Sequence, residues 1–164
     1  MSVSGLNRIE KKAAFSLASV FGVRMLGLFM ILPVFAIYGE ELAGYSPIWL
    51  GLAIGAYGLT QALLQIPMGI LSDKYGRKPV ILAGLVVFLI GSVVAAMSTT
   101  IYGVVLGRAI QGMGAIASAI LALAADLTRE KQRPKVMATI GMFIGLSFTF
   151  AMILGPIVAD AFGL

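Results

Sequence analysis

Five long apolar stretches divide this chain, and short polar turns separate them. The stretches cover residues 13–38, 48–71, 79–97, 101–125 and 136–159. Each has about the 20 residues that carry an α-helix across a hydrocarbon core about 30 Å thick. Strands of a membrane barrel would be about ten residues long and would alternate apolar with polar positions. The pattern therefore predicts an all-α membrane protein with five transmembrane helices. Only Arg24 and Arg108 place a charge inside a stretch.

The polar turns have an order of their own. Arg8, Lys11 and Lys12 precede the first stretch, Lys74, Arg77 and Lys78 fill the second turn, and Arg129, Lys131, Arg133 and Lys135 lie in the fourth. The first and third turns hold no Lys or Arg. Basic turns stay cytoplasmic, which predicts a multi-pass membrane protein with its N-terminus inside. The first stretch is too long for a cleaved signal peptide and contains Arg24, so it reads as a retained span. The last stretch ends at Ala159, close to the end of the chain, which suggests a truncated gene product or a fragment.

Composition agrees. Of 164 residues, 60% are hydrophobic and 12% charged, where a soluble domain carries about 25% charged residues. The bilayer is thus the first partner. The net charge of +5 sits in short clusters, not along a stripe interleaved with aromatics, which argues against nucleic acid. With no Cys and no His, thiol chemistry and imidazole-based metal sites or triads are excluded. No metal, no cofactor and no enzymatic activity are expected. The segment 112–117 loosely fits a dinucleotide fingerprint, but it lies inside a span and follows no strand, so that reading fails.

The second turn, Gly69 to Pro79, is the most informative segment. Asp73 lies near the C-terminal end of the second helix, and Asp126 near that of the fourth, where the helix dipole disfavours an acid. Both need cations. Lys74, Arg77 and Lys78 are at hand, and Arg77 has a fork that can serve two carboxylates. Gly76 permits a left-handed turn, and Pro79 suits the first turn of the next helix. By spacing alone this is either a latch or an ordinary solvated charged loop, whose ion pairs contribute only about 0–1 kcal/mol.

The residues Gly69, Asp73, Gly76, Arg77 and Lys78 resemble the G-x-L-x-D-x-x-G-R-K motif of the major facilitator superfamily, between its second and third helices. Arg108-Ala109-Ile110-Gln111-Gly112 is similar to the fourth-helix R-x-x-Q-G motif. Gly155-Pro156 resembles the core of the fifth-helix antiporter motif, and the chain as a whole resembles the bacterial drug/proton transporters of that superfamily. The resemblance implies five helices of an incomplete N-terminal six-helix half, spanning residues 1–164. It implies a secondary transporter that moves small organic solutes by alternating access, with drug/proton antiport as one form and a C-terminal half as partner. It places Asp73, Arg77 and Asp126 in a conformational switch. Ala151, Ala159 and Asp160 depart from the glycines of the antiporter motif, so proton exchange is the less supported part. A membrane interaction or assembly subunit is the competing class.

Within the membrane, Arg24 lies about ten residues into the first span, roughly 15 Å deep. A buried cation is costly by about 2.5–3.5 kcal/mol on insertion scales and faces a cavity or a partner. Three- and four-residue steps put Arg108, Gln111, Ala115, Ser118 and Asp126 on one face of a continuous fourth helix. Arg24, Gln61, Arg108 and Gln111 are the candidate pathway residues, with pairing to backbone carbonyls as the structural alternative. Gly51/Gly55, Gly103/Gly107 and Gly141/Gly145 are expected to bring helices close together.

Overall fold

A computed structural model describes residues 5–162 as helices joined by short turns. The helices are α1 (Arg8–Tyr38), α2 (Pro47–Tyr75), α3 (Arg77–Ala96), α4 (Ile101–Met113), α5 (Ala117–Asp126) and α6 (Arg133–Phe162). Among the described residues, five segments are long and apolar enough to cross a membrane, and α4 and α5 share one of them, Ile101–Asp126.

Local chemistry starts these helices where they start. Asn7 and Glu10 form a reciprocal capping box at α1, each side chain accepting from the other's backbone N–H at 2.8 Å. Ser46 caps α2 through Trp49 N, with Pro47 in the first helical position. Thr100 caps α4 through Gly103 N.

Two departures from the sequence expectation bear on the site. α2 runs one turn past residue 71, so Asp73 lies inside its last turn, and the helix stops at Gly76, whose φ of +96° favours glycine. The fourth span is not one helix. It breaks at Gly114-Ala115-Ile116, where Gly114 N turns back to Gln111 O at 3.2 Å. Glycines at 112 and 114 weaken helix propensity there, and Arg24 donates to the freed Gly114 carbonyl at 2.9 Å. The single polar face expected along this span therefore splits. Arg108 and Gln111 belong to α4, Ser118 and Asp126 to α5, and Ala115 is buried in the break.

α1 lies along α6, and α4 packs against both α2 and α3. The main core joins Ala18 and Phe21 of α1 to Ile120 and Ala124 of α5 and Val136 and Ile140 of α6. A smaller cluster of Phe35, Ala53, Ile101 and Val104 lies at the opposite end from the basic turns. There the first and third turns are tied by Ala43 N to Thr99 O and Ile101 N to Ala43 O. Of the three glycine pairs, only Gly103/Gly107 packs closely, against Ser98 and Ala95. Nothing lies near Gly51, Gly55, Gly141 or Gly145, and the same helices expose Leu59, Leu63, Ile66, Phe150 and Ile153.

Candidate functional site

Two polar clusters stand out, one at the basic end and one inside the membrane. At the basic end, Arg77 opens α3 and reaches both acids. Its Nη1 pairs with Asp73 Oδ1 four residues back, and its Nε donates to Asp126 Oδ2 at 3.2 Å. Asp73 lies in the last turn of α2 and Asp126 ends α5, so one guanidinium links three helices. Each acid sits at the negative end of a helix dipole, and the arginine offsets both. Nη1 also donates to Ser72 Oγ at 2.7 Å, and Ser72 Oγ donates to Gly69 O at 2.7 Å. Ser72 is buried, and the sequence reading passed over it. Gly69 faces Ser118 of α5, whose hydroxyl donates to Gln65 O at 3.1 Å. Lys78 is exposed and stands outside the cluster.

A second arginine clamp lies nearby and was also missed. Arg129 presents Nε to Glu10 Oε1 and Nη2 to Glu10 Oε2, both at 2.8 Å, and its backbone N donates to Oε1 at 3.1 Å. Hydrogen bonding to Glu10 raises the Arg129 pKa above its ordinary value. The pair binds the start of α1 to the turn that follows α5. The available signal was an acid three residues past an N-cap Asn, which explains the capping role but not the distant partner.

Inside the membrane, the four candidate pathway residues form two hydrogen-bonded pairs, Arg24–Gln61 and Arg108–Gln111, on either side of the Tyr57 ring. Arg24 Nη2 donates to Gln61 Oε1 at 3.2 Å and to Gly114 O. Tyr57 donates its hydroxyl to the same Gln61 oxygen. Arg108 donates Nη1 to Gln111 Oε1 at 2.9 Å and Nε to Ala53 O at 3.2 Å, and Gln111 Nε2 donates to Ser92 Oγ at 2.9 Å. The Tyr57 ring lies between the two guanidinium groups, 5.8 Å from Arg24 and 5.0 Å from Arg108. Arg24 also stacks on Phe88 at 5.2 Å. Tyr57, Phe88 and Ser92 join the set only through the fold. Both arginines are 2% exposed, so this arrangement is closed. Gln111 and Ser92 also floor a cavity of about 550 Å³ between α1 and α3, walled by Met30, Ile31 and Val34.

Gly155 and Pro156 serve the α1–α6 seam. A Cβ at Gly155 would lie 2.8 Å from Pro33 Cγ and 2.9 Å from Met30 O, so only glycine allows this approach. No group of Asp or Glu suited to a metal ion occurs among the described residues.

Comparison with known proteins places this geometry. Residues 17–164 match the family described as Major Facilitator Superfamily. The chain is 56% identical over 155 residues to the inner membrane transport protein YajR of Escherichia coli, covering 94% of this chain and 34% of that protein. It is 44% identical over 158 residues to an uncharacterized transporter of Buchnera aphidicola, covering 96% and 40%. It is 29% identical over 138 residues to the class H tetracycline resistance protein of Pasteurella multocida, covering 82% and 34%. The chain thus spans between a third and two-fifths of the length of these relatives. Family match and helical spans agree: the chain belongs to the major facilitator superfamily of transporters.

Proposed function

We propose that this chain forms part of the N-terminal half of a secondary transporter that moves small organic solutes by alternating access. In this reading its N-terminus and basic turns face the cytoplasm of a bacterial inner membrane, as the name of the E. coli relative and the charge of the turns support. The observation that carries the reading is Arg77 held by Asp73 and Asp126 at once. Three helices meet at one guanidinium, so parting them breaks both pairs together. That is a two-state contact of the kind that closes one side of a carrier. The buried Arg24–Gln61 and Arg108–Gln111 pairs form the wall of the pathway behind it, and a C-terminal half supplies the opposite wall. Drugs among the solutes are supported by the name of the P. multocida relative, and proton exchange by the Gly155-Pro156 motif alone.

The test is tetracycline flux in proteoliposomes with the transporter that contains this chain. Asp73→Asn and Arg77→Ala should each cut flux about tenfold or more while insertion stays normal. Undiminished flux in both variants removes the switch.

A further inference from the structure

The membrane-embedded cluster carries more positive charge than the chain can neutralise. Its seven Asp and Glu residues all lie in turns or in the first or last turn of a helix. Arg24 sits midway along α1 and Arg108 midway along α4, and no ion pair reaches either of them among the described residues. The two differ in how they are satisfied. Arg24 spends only Nη2 on hydrogen bonds, and its buried Nε and Nη1 have no partner. Around it stand the Phe88 and Tyr57 rings, which stabilise a cation through their faces but accept no strong hydrogen bond. A buried guanidinium with open donors, in low dielectric and beside a second guanidinium, is a strong demand for an oxyanion.

We propose that Arg24 is the seat of an anion-binding subsite, and that its ligand is a small organic anion with an apolar body. Calling that ligand a transported solute rests on the reading above. The anionic end takes the free Nε–H and Nη1–H donors, and the apolar body lies against Phe88 and Tyr57. Gln61 and the Gly114 carbonyl hold the remaining nitrogen and fix the plane of the group. The site is occluded here, so ligand entry requires the helices around the α4–α5 break to part.

The experiment uses the transporter that contains this chain, in lipid nanodiscs, with three probes of similar shape: benzoate, benzyl alcohol and benzylammonium. Arginine is labelled with 15N at Nε, and Arg24→Gln assigns the Arg24 resonance. Benzoate should move that resonance saturably, and the other two probes should not. Arg24→Gln should weaken benzoate binding at least about tenfold, the loss expected for a charge-assisted pair. An unmoved Arg24 resonance, or one moved equally by benzyl alcohol, overturns the proposal, and Arg24→Lys gives the assignment a second time should Arg24→Gln fail to fold. A carboxylate fixed permanently on Arg24 by another segment would also leave the resonance still. Flux of a neutral or cationic solute without benzoate binding removes this subsite and leaves the transport reading standing. Benzoate binding in a protein that carries no solute does the reverse.

Discussion

At Gly112 an added Cβ would collide with the Thr60 hydroxyl and the Tyr57 carbonyl oxygen of α2. Thr60 Oγ1 in turn donates to Ala109 O of α4 at 2.9 Å, so the two backbones meet with only hydrogen between them. Gly112→Ala should cost about 1–3 kcal/mol by overpacking, read as a lower unfolding midpoint in nanodiscs. Gly141→Ala points into open space and should leave the midpoint unchanged or raise it, through a helix-propensity gain of about 0.5–1 kcal/mol. Equal shifts in the two variants would contradict the packing described. Arg77→Lys keeps the charge and loses the fork. It should therefore hold one carboxylate and retain a flux between those of the native protein and Arg77→Ala. The two carboxylates and their arginine were legible in the sequence because acids at helix C-termini demand cations. Ser72 was not, because a single Ser before an acid says nothing about burial or about which donor will reach it.

Between elements, the capping box and the Glu10–Arg129 clamp share one side chain. Asn7→Ala removes only the cap, at about 1 kcal/mol, and should speed amide exchange in the first turn of α1 alone. Glu10→Ala removes cap and clamp, and should speed exchange in that turn and in residues 127–132 together. Exchange confined to α1 in both variants would show that the clamp does not hold the turn. The helices themselves were readable from the length of the apolar stretches. The break in the fourth span was not, because hydrophobicity continues through Gly114-Ala115-Ile116 without change. Two glycines weaken the helix there, and the freed Gly114 carbonyl is met by a donor from α1, a partner that no local pattern reveals. The same blindness made one polar face out of residues that belong to two helices.

For the whole molecule, the absence of Cys makes orientation directly measurable. Single cysteines at Lys78 and Lys131 should react with a membrane-impermeant maleimide only from the cytoplasmic side, and cysteines at Glu41 and Ser98 only from the outer side. Labelling of Lys78→Cys from outside would overturn the proposed topology and with it the proposed switch. Charge alone supplies the expected topology, whereas the meeting of Arg24, Gln61, Arg108 and Gln111 around Tyr57 depends on how three helices, α1, α2 and α4, cross. One more property follows from the α1–α6 seam. Pro33 and Pro156 each lack an N–H, so Phe29 and Met152 keep carbonyls that no helical donor four residues on can meet. Gly155 seats itself on Pro33, which sets these two weak points side by side at one depth. The long helices therefore share a single crease, and a bend in either one must fold the other with it.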